Sequence, residues 1–202
     1  MLTVLQAIYA SNNSGIDVTP QAQAILVNGN DDITPSNAIF GDPDPGSKKY
    51  FMIWYTAPPL NGGDPIGLAC AEGDSLDLIP SFGAPPYCST SQQPQTVGSS
   101  LSEVIVDRAV YGTANNGFDV TAICQSVFNQ GAVGVGTYSI QITNAGFGGD
   151  PDPGPNKAFA MKYWLNETAM FIGGGEGQTI ILPIAAQPAA ETGRMTGPAA
   201  VT

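Results

Sequence analysis

Histidine is absent from the 202 residues. That removes Ser-His-Asp and Cys-His catalysis, and with them histidine-ligated zinc, copper and iron. Bases are nearly as scarce: six Lys and Arg stand against 17 Asp and Glu, a net charge of −11. Six scattered cations argue against nucleic acid and anionic membrane as partners. Charged residues make up only 11% of the chain, about half the usual share. No apolar run approaches the roughly 18 residues of a membrane span. The start, Met1-Leu2-Thr3-Val4-Leu5, has no basic segment and no adequate apolar run, so no secretory leader is visible. Three cysteines without a histidine fit a zinc site poorly.

What is abundant points to turns. The chain has 25 Gly and 17 Pro, with 43% hydrophobic residues to build a core. This composition favours short strands over long helices. The length suits one large or two small domains, and internal repetition decides for two. Ala7-Ile8-Tyr9-Ala10-Ser11 returns as Ala109-Val110-Tyr111-Gly112-Thr113, and Asp17-Val18-Thr19 as Asp119-Val120-Thr121, at a constant offset of 102. Gly41-Asp42-Pro43-Asp44-Pro45-Gly46 returns as Gly149-Asp150-Pro151-Asp152-Pro153-Gly154 at an offset of 108, which Lys49 and Lys157 keep. Each copy closes on Glu-Gly, an apolar strand and proline: Glu72-Gly73 to Pro80, and Glu176-Gly177 to Pro183. The chain therefore divides into a first repeat over 1–80, a Ser/Pro/Gln-rich linker over 81–102, a second repeat over 103–183, and an extended tail over 184–202.

Within each copy the pattern predicts a first strand (Leu2–Tyr9, Val104–Tyr111). A short helix follows, N-capped by Thr19 in copy one with Pro20 at its first position. Ala22, Ile25 and Leu26 align with Cys124, Val127 and Phe128 as one buried helix face. Phe51, Ile53 and Tyr55 align with Phe159, Met161 and Tyr163 as the inward face of a strand. The expected fold is mainly β: two tandem small β-sandwich domains, each with one short helix and its own core, with few core contacts between them.

The order of these residues is Ala-x-Tyr-Gly (Ala109 to Gly112), Asp119-Val120-Thr121, a helical glutamine (Gln125, Gln23), Gly146-Phe147 before Asp-Pro, Lys157, Tyr163, Glu176-Gly177 and a closing apolar-Pro. It resembles the C-terminal domain of the DnaJ-like subfamily C proteins of mitochondria, a domain also found alone in bacterial and fungal proteins of unknown role. The resemblance covers most of the chain as a tandem repeat and implies a β-rich fold. It implies no catalytic residues, and without a J-domain signature it implies no chaperone work. Copy one departs from the pattern, with Tyr9-Ala10 in place of Tyr-Gly.

The Asp-Pro-Asp-Pro-Gly loops are the sharpest local feature. Asp42, Asp44, Asp150 and Asp152 put carboxylates at alternate positions of a stiff loop, and Asn37 or Asn144 stands upstream as a neutral oxygen donor. Calcium takes ligands of this kind. The competing reading is a rigid turn, with proline fixing φ and glycine supplying a positive φ. Lys49 and Lys157 either pair with these loops or face solvent. Trp54 and Trp164 do not align between copies, so each is either core or a stacking platform for a sugar or a protein neighbour. Cys124 belongs to the buried helix face. A Cys70–Cys88 disulfide is expected to staple the linker to copy one in an oxidising compartment. Asn12 and Asn166 begin glycosylation acceptor triplets.

No catalytic constellation remains, so the expected protein is not an enzyme. The expected function is structural: head-to-tail self-assembly into an extracellular helical fibre or surface lattice, with a terminal segment docked on the next subunit. The alternative is a bivalent, calcium-assisted carbohydrate-binding module with glycans as partners, lectin-like. Low charge and Gly/Asn/Ser/Thr richness place either one outside the cell or on its surface.

Overall fold

The computed structural model describes residues 2–27, 30–58, 60–80, 87–90, 104–130, 137–165 and 167–183. In copy one a four-stranded antiparallel sheet has the order β2 (Gly15–Asp17), β1 (Thr3–Ala10), β4 (Tyr50–Thr56), β5 (Ile66–Ala71). A two-stranded ribbon, β3 (Asp32–Ile33) with β6 (Leu76–Asp77), and helix α1 (Thr19–Ile25) cover one face. A single helical turn, α2 (Asn37–Phe40), leads into the acidic loop.

Copy two repeats the plan. Its sheet runs β12 (Thr168–Gly175), β11 (Ala158–Leu165), β8 (Val104–Gly112), β9 (Asn116–Asp119). Helix α3 (Thr121–Gln130) and the ribbon β10 (Thr137–Gln141) with β13 (Thr179–Pro183) cover it. This sheet gains a fifth strand from between the copies: β7 (Tyr87–Thr90) runs parallel along β9. The segment 81–102 is therefore more than a spacer. The molecule is mainly β and sandwich-like, as its alternating strands predict.

Each copy has its own core. Phe51, Ile53 and Tyr55 point into the first with Tyr9, Ala22 and Leu26, all buried. Phe159, Met161 and Tyr163 point into the second with Tyr111, Cys124 and Phe128. The expectation of few core contacts between copies is corrected by a third cluster. Ile8, Tyr50, Met52 and Ala69 of copy one meet Val110, Ala158 and Ala160 of copy two. The two sheets thus pack face to face, because their strands are apolar on both sides.

This interface has approximate two-fold symmetry. Gly173 N–H donates to the Ser11 carbonyl at 2.7 Å, and Ala69 N–H donates to the Thr113 carbonyl at 3.3 Å. Ser11 and Thr113 are repeat equivalents, as are Ala69 and Gly173. The backbones approach so closely that a Cβ on Gly117 would overlap the Gly67 carbonyl oxygen, and one on Gly15 would overlap Phe171. Trp54 fills the same seam, with the Arg108 guanidinium 4.3 Å from its ring centre. Its role here is packing between copies.

A matched irregularity shapes both first strands. The β1–β4 register skips Leu5, and the β8–β11 register skips the equivalent Asp107. Beyond the short β2 and β9, the helix takes over the strand edge. Val4 N–H donates to Gln23 Oε1 at 2.8 Å and Ala7 N–H to Thr19 Oγ1 at 2.8 Å. Val106 and Ala109 do the same with Gln125 and Thr121, at 2.8 and 3.0 Å. Thr19 is therefore not the helix cap. Val18 holds that position, and Thr19 N–H itself donates to Asp17 Oδ1 at 2.9 Å.

Candidate functional site

The acidic loops sit at corresponding ends of the two sheets, each between its upstream asparagine and the start of β4 or β11. Proline fixes φ twice in each loop, and Gly46 and Gly154 take positive φ values of 87° and 116°. The first aspartate of each loop folds the turn, as Asp44 N–H donates to Asp42 Oδ1 at 3.2 Å and Asp152 N–H to Asp150 Oδ1 at 3.1 Å.

The lysines lie among the carboxylates of both loops. Lys49 pairs with Asp42, and Lys157 pairs with Asp150 at 2.9 Å and lies 3.8 Å from Glu176. Both are buried, with relative exposures of 1% and 5%, a state lysine accepts only when paired. Each ammonium places one positive charge against the first aspartate of its loop.

Other oxygens of the loops are engaged as well. Asp44 accepts from the Ser11 hydroxyl and Asp152 from the Thr113 hydroxyl, at 2.5 and 2.6 Å. Asn37 Nδ2 donates to Asp42 at 3.4 Å while its Oδ1 accepts from the Tyr9 hydroxyl at 3.0 Å. Asn144 makes the same pair of contacts with Asp150 and Tyr111, at 3.3 and 2.7 Å. The structure thus brings together Asp42, Asp44 and Asn37, and likewise Asp150, Asp152 and Asn144, but as lysine-centred clasps. Among the described residues, the one acidic grouping with metal-ligand proximity is elsewhere: Asp31, Asp32 and Asp77, at the β3–β6 ribbon.

The electrostatics follow from these contacts. Hydrogen bonds from Ser11 and Ser47 hold the Asp44 carboxyl below its ordinary range, and the Lys157 contact does the same for Asp150. Burial, reinforced by Glu72, pushes the Tyr9 phenol up. Burial with the charges of Glu176 and Asp150 raises Tyr111. Tyr9, Ser11 and Glu72, with their equivalents Tyr111, Thr113 and Glu176, are members of the clasp that loop-centred reasoning misses. Their signal was recurrence at matched positions.

The other expected sites fall out differently. Cys70 is a free, buried thiol, so the expected Cys70–Cys88 bond is not formed. It packs in the first core, and burial raises its pKa. Cys88 lies on β7, and its side chain is outside the described residues. Cys124 is free and buried, as its helix position predicts. Asn12 is exposed in the turn after β1, and Asn166 lies outside the described residues. Trp164 is 37% exposed, with Lys162 Nζ 5.3 Å from its ring centre.

Among the described residues, no helix is long and apolar enough to cross a membrane. No family model, curated protein or solved structure matches the chain.

Proposed function

We propose that the chain is a non-catalytic structural protein that assembles head to tail, into an extracellular helical fibre or surface lattice, through a terminal segment docked on the next subunit. One observation carries the reading: the chain already completes one repeat with a strand drawn from outside it, β7 on β9. Strand addition of this kind needs only backbone groups, and it works between molecules as well as within one. The polar groups of the duplicated loops, meanwhile, are used internally. That favours a scaffold over a calcium-assisted sugar site. The resemblance to the DnaJ-like C-terminal domain adds a β-rich scaffold to this reading and no activity.

Electron microscopy and light scattering test it. The full chain is expected to form fibres, with or without a calcium chelator. Deleting 184–202 is expected to shorten or abolish them while the melting transition of the body is kept. A full-length chain that stays monomeric and binds a glycan array in a calcium-dependent way would replace this reading with the lectin-like one.

A further inference from the structure

Copy two's sheet ends in a strand with no counterpart in copy one's sheet among the described residues. Tyr87, Cys88, Ser89 and Thr90 of β7 lie opposite Asn116, Gly117, Phe118 and Asp119 of β9. The equivalent of β9 in copy one is β2, and it is the sheet edge, with no strand beyond it among the described residues. Burial reflects the difference: Gly117 is buried and Asp119 half-buried, whereas Gly15 is half-buried and Asp17 exposed. The Ser14 carbonyl accepts from Ser11 N–H and Val18 N–H donates to the Ala7 carbonyl, both inward. By alternation the amide groups of Gly15 and Asp17 face outward, on the side that β7 occupies in copy two. Such an edge is a template for another chain.

The sequence carries a segment in the same relation to copy two as β7 has to copy one. Pro183 closes copy two as Pro80 closes copy one, an offset of 103, and Pro188 stands at that offset from Pro85. The same step carries the β7 residues to Ala190, Glu191, Thr192 and Gly193. Residues 184–202 span roughly 60 Å when extended, at about 3.3 Å per residue, enough to reach the β2 edge of their own chain, as β7 reaches β9, or that of a neighbour, which is the one the assembly reading selects. Arg194 is the one base of that segment. It would arrive beside Asp17, which has no salt bridge among the described residues, whereas the equivalent Asp119 is held by Arg108 at 2.7 Å.

We propose that residues 190–193 of one molecule add as a parallel strand to the outer edge of β2 in the next. The proposal rests on the assembly reading and supplies its joint. In that register Thr192 would stand opposite Ile16, its N–H donating to the Gly15 carbonyl and its carbonyl accepting from Asp17 N–H, as parallel pairing requires. The tail of copy two meets the edge of copy one, so the contact is between unlike surfaces and propagates.

Disulfide trapping in the full chain tests the register. In a Cys88→Ser background, Ser14→Cys and Ala190→Cys would place two thiols on register partners, whose Cα spacing of about 4.8 Å lies within disulfide range. Cys70 and Cys124 are buried. Mild oxidation is expected to give a ladder of dimers, trimers and longer species on a non-reducing gel, while either single substitution stops at dimers. Adding Thr192→Pro, which removes the bonding N–H, is expected to reduce the ladder at least tenfold, and Thr192→Val to preserve it. A bond formed within one monomer, or a ladder indifferent to Thr192→Pro, would overturn the proposal. Fibres without a ladder would leave the assembly reading standing and remove this joint; neither fibres nor ladder would remove both.

Discussion

Lys49 and Lys157 set the character of each loop at the residue scale. A buried ammonium paired with the first aspartate of the turn makes the loop a fastener between β1, the acidic turn and the strand that follows. Asp44 and Asp150 titrate below their ordinary range, so on acidification the unfolded chain takes up protons first and stability falls. Tyr9 and Tyr111 titrate above theirs, so stability also falls once the unfolded phenols ionise. The denaturation midpoint is expected to be flat near neutrality, to drop below roughly pH 4 and to drop again above roughly pH 10. A urea titration across pH, followed by circular dichroism, measures this. The aspartates and lysines were legible in the sequence because they recur together. Which reading they served was not, because a calcium loop and a lysine-centred loop use the same carboxylates. The burial of one ammonium group beside them was not legible either, because it depends on how the sheet and loop pack.

At the scale of elements, the helices stand in for missing strands. Gln23 and Gln125 accept from a strand N–H that would otherwise have no partner past the end of β2 or β9. Leucine in place of Gln125 would leave Val106 N–H unsatisfied and remove the Nε2 donor to the Val104 carbonyl and Asn129, at about 1–2 kcal/mol. Thermal unfolding of Gln125→Leu should fall by about 2–4 °C per kcal/mol lost, and Gln125→Glu, which keeps an acceptor, should lose less. The buried helix face was legible from its i, i+3, i+4 spacing, and both copies agree. Thr19 was misplaced because threonine before proline is a common cap. Only the adjacent strand edge shows that its hydroxyl is used across the sheet.

On the scale of the whole molecule, the third core joins the copies. β4 reads Tyr-Phe-Met-Ile-Trp-Tyr, and both of its faces are apolar. Phe51, Ile53 and Tyr55 go to the first core while Tyr50 and Met52 go to the interface. A strand buried on both faces loses its alternation, so reading one face from the sequence left the other unassigned. The seam depends on glycine where backbones meet. Gly117→Ala is expected to cost about 2 kcal/mol through overpacking, because the atom it meets is a backbone carbonyl with little freedom to move. Near- and far-ultraviolet signals should unfold together in the parent chain. Two separated transitions would mean that the copies are energetically independent.

The paired hydrogen bonds across the seam, Gly173 to Ser11 and Ala69 to Thr113, carry a consequence for ancestry. A surface that meets its own repeat through equivalent residues needs no second gene to create it. Half of this chain, made as a separate polypeptide, could dimerise through the same sheet face before the halves were fused. Fusion then releases the two sides to diverge, and they have: Gly15 packs against Phe171, while its counterpart Gly117 packs against Gly67. It also turns part of the stretch between the halves into β7, a strand that β9 receives and that has no counterpart on β2 among the described residues.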